Sequence, residues 1–153
     1  MHALIENLHE WFSSADDSRQ KQYVHALIMD YSKAFDHINP YILMAKVKAM
    51  DIPHFLLKWI LDFLTGRSQQ VKVGDSISEI LEVWGTVPQG TKIGVFLFLI
   101  MINDLITKAA TYKYEDDTNI FSVSKDPESP ELQLATDEIN DWSQENDMKI
   151  NAT

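Results

Sequence analysis

Tyr112-Lys113-Tyr114-Glu115-Asp116-Asp117-Thr118-Asn119-Ile120-Phe121 places two short stretches of strand formers on either side of an acidic turn. The pattern predicts strand, turn, strand. A counterpart lies far upstream: Tyr23 to Met29 is a short apolar run of strand formers that ends at Asp30. If the two strands are neighbours, their ends bring Asp30, Asp116 and Asp117 together. Ionised carboxylates at that range repel, so they must lose charge or share cations. Magnesium prefers oxygen ligands and often takes one or two carboxylates plus substrate phosphates. Two ions about 3.5–4 Å apart would clamp the attacking and leaving oxygens of a phosphoryl transfer. A plain turn is the competing reading, because Asp-Asp is frequent in turns and Asp16-Asp17 occurs in a polar loop of this same chain.

Outward from these strands the pattern alternates between helix and strand. Met1 to Ser14 reads as an amphipathic helix and Ala15 to Gln22 as a loop. Ile38 to Met50 suits a helix. Pro53 opens another, with Phe55, Leu56, Trp59, Ile60, Phe63 and Leu64 at helical spacing and Gly66 as its stop. Arg67 to Val73 and Ile77 to Trp84 flank Gly74-Asp75 and predict a hairpin. Gly85 to Gly90 is a loop, and Thr91 to Lys108 a long, mostly apolar helix that argues for burial. Ser129-Pro130 starts a final helix with Leu132, Ala135, Ile139 and Trp142 on one face. Strands with helical crossovers followed by a hairpin predict α+β or α/β.

Composition bounds the function. At 153 residues, one domain with a real core is expected, and 45% hydrophobic content excludes a mostly disordered chain. The absence of cysteine excludes disulfide scaffolds, Cys-ligated zinc and thiol catalysis. The longest apolar run, Val95 to Ile102, is eight residues, too short to span a membrane, and the N-terminus shows no signal-peptide pattern, so no cellular address is legible. The formal net charge is −10, and residues 114–153 hold 11 acids against 2 bases. Affinity for phosphate comes largely from Lys and Arg. Any nucleic-acid role must therefore rest on a local site, on metal ions or on further segments.

Other candidates carry two readings each. Asp36 could be a fourth ligand, but Asn39 and Pro40 favour a local hydrogen-bonding or capping role before Ile38. Phe35 reads as core. Val87-Pro88-Gln89-Gly90-Thr91 could face an anion or a base, or could simply cap the helix that follows. Arg67 and Lys72 could meet a phosphate backbone or belong to a solvated hairpin face. The five histidines show no metal spacing.

Four segments together resemble the reverse transcriptases of non-LTR (LINE-type) retrotransposons, in order and in spacing. They are Leu27-Ile28-Met29-Asp30-Tyr31-Ser32-Lys33-Ala34-Phe35-Asp36-His37, Phe63-Leu64-Thr65-Gly66-Arg67-Ser68-Gln69-Gln70-Val71, Val87-Pro88-Gln89-Gly90-Thr91 running on to Ile102-Asn103-Asp104-Leu105, and Lys113-Tyr114-Glu115-Asp116-Asp117-Thr118. Trp142 and Met148-Lys149-Ile150-Asn151 extend the likeness to about residues 23–151. The resemblance implies a polymerase palm: an α+β fold with an antiparallel sheet and helices packed on one face. Asp30, Asp116 and Asp117 match the family's metal-binding acids for two magnesium (or manganese) ions. Phe35 matches the bulky residue that excludes a ribose 2′-hydroxyl. Gln89 and Gly90 match the loop that touches the incoming nucleotide and the template. The implied reaction is attack of a DNA primer 3′-hydroxyl on the α-phosphate of a deoxynucleotide, directed by an RNA template.

Departures from the family are specific. Glu115 stands where a small residue is usual, beside the primer end; at about 6 Å and an effective dielectric near 20, a primer phosphate would oppose it by about 3 kcal/mol. Val95 stands where Pro is usual, and Thr86 separates Gly85 from Val87. Residues 1–22 are expected to be a remnant of the fingers and residues 23–153 the palm-like domain. The fingers are then incomplete and the thumb absent, as in a piece of a larger polyprotein. Three readings follow: a polymerase palm, an inactive retrotransposon remnant serving at most as a folded interaction module, and an unrelated magnesium phosphohydrolase.

Overall fold

The computed structural model describes residues 9, 13, 22–83, 87–114 and 117–151. The helix expected over residues 1–14 and the loop after it fall almost wholly outside them. The chain divides into two compact units.

The first unit comprises Met1–Tyr31, Leu105–Glu145 and Ile150–Thr153. Its centre is a three-stranded antiparallel sheet in the order β1-β7-β6, with β1 at Tyr23–Met29, β6 at Ala110–Tyr114 and β7 at Asp117–Ser124. Thr118, Ile120 and Ser122 alternate along β7 and are all buried, as period-2 geometry requires of one sheet face. A helix, Pro130–Glu145, packs on β7 and β1 through Ala135 and Ile139. Ser129 caps it, its hydroxyl accepting from the Leu132 amide at 3.3 Å, and Pro130 occupies the first turn. Ser122 donates to Glu131 of that helix at 2.8 Å. The strand and terminal-helix expectations for this unit agree with the structure, the turn residues 115–116 fall outside the described residues, and the fold is α+β.

The second unit comprises Ser32–Asp104 and Asn146–Lys149. Helix α1 is Pro40–Ala49. Asn39 is its cap, accepting from the Tyr41 amide at 3.0 Å, and Lys46 and Lys48 meet the negative end of its dipole. The capping expected of Asp36 is thus performed by Asn39. Helix α2 is His54–Leu64; Gly66, at φ +64°, turns the chain out of it. Of its apolar residues only Ile60 and Leu64 are buried, whereas Phe55 and Trp59 are 70% and 53% exposed. The hairpin forms in two pieces. β2 (Arg67–Gln69) pairs with β5 (Leu81–Val83), and β3 (Lys72–Val73) pairs with β4 (Ser76–Ile77). Between them residues 70–71 face residues 78–80, a bulge held by the Val71 amide donating to the Ser78 hydroxyl at 2.9 Å.

Helix α3, Lys92–Ile102, buries Leu97, Phe98, Ile100, Met101 and Ile102. It stops six residues before the expected end at Lys108. Asn103 is the C-cap, its amide turning back to the Ile100 carbonyl at 3.3 Å, and the carbonyls beyond take side-chain donors. The Met101 carbonyl accepts from Lys46 Nζ at 2.8 Å, and the same ammonium pairs with Asp104 at 2.5 Å. In the first unit the Leu105 carbonyl accepts from Lys113 Nζ at 2.9 Å. The fourth helix of the described residues, Pro130–Glu145, is α4. No helix among the described residues is long and apolar enough to cross a membrane.

The Lys46 side chain is 15% exposed, so its bonds are partly shielded from water. Hydrogen bonds to charged groups contribute about 1.5–3 kcal/mol. Lys46→Met keeps the stem and removes both bonds. It is expected to lower the unfolding free energy by about 1–2 kcal/mol, read from the urea midpoint at unchanged slope. An unshifted midpoint would contradict the assignment.

Candidate functional site

Asp30 immediately follows β1, and Asp117 is the first residue of β7. The strands pair from Tyr23 with Ser124 to Met29 with Thr118. One further step in that register sets Asp30 across from Asp117, and both are exposed. Directly opposed residues of an antiparallel pair share a sheet face about 4.5–5.5 Å apart at Cβ. That face is the one carrying Ile28 and Asn119, opposite to buried Met29 and Thr118. On its other side Asp117 pairs with Tyr114 of β6. Asp116 and Glu115 fall outside the described residues. Among the described residues no group of three His, Cys, Asp or Glu is close enough to hold a metal.

The far edge of β1 is met by the chain's end. Tyr31 bridges Ile150, the Asn151 amide donates to the Asp30 carbonyl at 2.9 Å, and Asn151 Nδ2 donates to Asp30 Oδ2 at 3.3 Å. Tyr31 is 2% exposed and its ring lies 6.2 Å from that of Trp142. Burial pushes the Tyr31 hydroxyl above the usual phenol range, only partly offset by the Ser143 hydroxyl, so it stays protonated at neutral pH.

The remaining candidates belong to the second unit. Phe35 is half-buried, its ring centroid 4.8 Å from that of Phe98, and its carbonyl accepts from the Val87 amide at 2.9 Å. Asp36 Oδ1 accepts from Gln89 Nε2 at 3.3 Å. Asp36 therefore touches the loop and not a helix start. Thr91 caps α3 by accepting from the Gly94 amide at 3.0 Å, and Gly90 takes φ +77°. The capping reading of this loop holds for Thr91, while Gln89 and Gly90 are exposed. Arg67 begins β2 half-buried and Lys72 is exposed in β3. His25 and His37 bond to the carbonyls of Asp126 and Ser32.

Two residues escaped notice as site components. Asn151 is 121 residues from Asp30, and nothing in its local sequence places it there. Gly94 is different, because a glycine inside an apolar helical pattern signals close backbone approach. A Cβ at Gly94 would lie 2.6 Å from the Pro88 carbonyl oxygen and 2.8 Å from Thr91 Oγ1.

The family model for reverse transcriptase (RNA-dependent DNA polymerase) matches residues 2–153. The chain belongs to the reverse transcriptase family. It is similar to the RNA-directed DNA polymerase from mobile element jockey of Drosophila melanogaster, at 27% identity over 99% of the chain and 18% of that protein. It is also similar to the probable RNA-directed DNA polymerase from transposon X-element of the same fly, at 34% identity over 68% of the chain and 12% of that protein. The reverse transcriptase domain is accordingly of the non-LTR, LINE-type retrotransposon kind, and it spans under a fifth of either relative. Two solved telomerase structures from Candida tropicalis share its fold. One, in complex with a telomeric RNA fragment, has a TM-score of 0.73 at 10% identity, covering 99% of this chain and 28% of the telomerase. The apo form truncated from its C-terminal domain has a TM-score of 0.71 at 12% identity, covering 99% and 34%.

Gly94→Ala sets two effects against each other. Helix propensity alone would favour Ala by about 1 kcal/mol, whereas overpacking against fixed backbone costs about 1–3 kcal/mol. The clash is with a carbonyl that cannot rotate away, so a lower melting temperature is expected. A higher one would show that the loop carrying Gln89 and Gly90 is not held against α3.

Proposed function

We propose that the reverse transcriptase domain is the palm of an RNA-directed DNA polymerase, transferring deoxynucleotides to a primer 3′-hydroxyl. The observation that supports this reading is the β1–β7 register, which runs to Met29 opposite Thr118 and so ends one residue short of the exposed Asp30 and Asp117. Residues 23–153 are read as the palm and residues 1–22 as a part of the fingers.

Asp30, Asp116 and Asp117 are assigned as holders of two divalent cations, magnesium or manganese. The donor set fits: these are hard oxygen ligands, and Asp30 and Asp117 are exposed. Like charges directly opposite on a sheet are destabilising, which a shared cation relieves. Bound ions of this type neutralise charge at a reacting phosphate and lower the pKa of an attacking hydroxyl. Phe35, braced by Phe98, is the bulky ring assigned to bar a 2′-hydroxyl. Gln89 and Gly90 are assigned to the nucleotide and template, and Arg67 and Lys72 to phosphate backbone. Base pairing, not side chains, would read sequence. An RNA template, a DNA primer and the further segments of a longer polyprotein are the partners this reading requires.

The experiment is cation-dependent deoxynucleotide addition to a primed RNA template. Weak extension at most is expected of this chain alone, given Glu115 and the acidic stretch 114–153, and Asp116→Asn is expected to reduce any extension about a hundredfold or more, as loss of several kcal/mol of charge stabilisation implies. A folded protein without extension would favour the inactive interaction module. Cations should also raise the melting temperature, since a ligand at ten times its dissociation constant adds about 1.4 kcal/mol. No rise with millimolar magnesium or manganese would contradict the metal assignment.

A further inference from the structure

We propose that Asn151 is a positioning residue for the cation site, orienting the Asp30 carboxylate from the opposite edge of β1. The inference rests on the metal assignment of Asp30 made above. Asn151 is placed by backbone before its side chain acts. Its amide donates to the Asp30 carbonyl at 2.9 Å, and the adjacent Tyr31–Ile150 bridge continues the pairing. Tyr31 is buried beside Trp142, which anchors that bridge from below. The side-chain amide then needs only one rotamer to reach Asp30 Oδ2, at 3.3 Å.

The chemistry of the donor matters. A carboxamide N–H carries no formal charge, so it restricts the rotation of the Asp30 carboxylate without neutralising it. A lysine or arginine in the same place would form an ion pair and compete with a cation. With Oδ2 engaged by Asn151, Oδ1 is the oxygen left to a cation. Groups that hydrogen-bond to a ligating carboxylate typically change metal affinity by about 10–100-fold when removed.

The test is manganese binding to the full chain, followed by the loss of the free-ion electron paramagnetic resonance signal. Asn151→Ala is expected to weaken binding about tenfold while leaving the metal-free melting temperature unchanged; a structural role alone would move the melting temperature and not the affinity. Asp30→Asn should abolish that binding. Wild-type affinity in Asn151→Ala, with binding lost in Asp30→Asn, would overturn the inference and leave the metal assignment standing. Manganese binding unaffected by Asp30→Asn would overturn both. Should Asn151→Ala fail to fold, the unaltered protein decides. The Asn151 side-chain NH2 resonance is expected to shift on magnesium titration, and an unmoved resonance at saturation would count against the inference.

Discussion

Seven consecutive residue pairs tie β1 to β7, and their register determines which acids share a strand end. A slip by one residue would reverse the faces. Met29 and Thr118, both buried, would no longer face each other, and the surface on which α4 packs would lose its match. The apolar core therefore holds the register, and the register ends with Met29 opposite Thr118, next to Asp30 and Asp117. Placement of charge at this site is a consequence of packing some residues away from it. Ile120 and Ile139, fully buried in the same unit, belong to the packing that keeps the acids aligned.

That constraint gives meaning to an otherwise unfavourable charge distribution. A net of −10, concentrated after residue 113, opposes binding of a polyanion. Cations shared by opposed carboxylates would convert part of that acidity into phosphate affinity, so the electrostatic problem and its remedy occupy the same strand end. Asn151 adds orientation to this arrangement without adding charge.

Much of the arrangement was legible in sequence, for identifiable reasons. Short runs of strand formers in Tyr23–Met29 and on either side of the 115–117 acids specified strands, and Ser129-Pro130 and Asn39-Pro40 specified helix starts through local capping chemistry. What failed was long-range. At the end of α3 the Met101 carbonyl is taken by Lys46, distant in sequence. The role of Asp36 depends on Gln89, 53 residues on. The bulge in the hairpin depends on the Ser78 hydroxyl replacing a ladder partner. No window of local sequence contains the first two pairs of partners, and the third is a side-chain choice inside a stretch read as a regular ladder. The family motifs named Asp30, Asp116 and Asp117 together; the structure describes the first and last, and supplies Asn151 as an unexpected neighbour.

The most direct measurement is anomalous diffraction from crystals of the protein grown with manganese. The account predicts anomalous density bridging the Asp30 carboxylate and the 116–117 turn, at about the 2.1 Å expected for a hard cation on oxygen. A well-ordered turn with Asp30 directed away from it, and no anomalous density between them, would contradict the account.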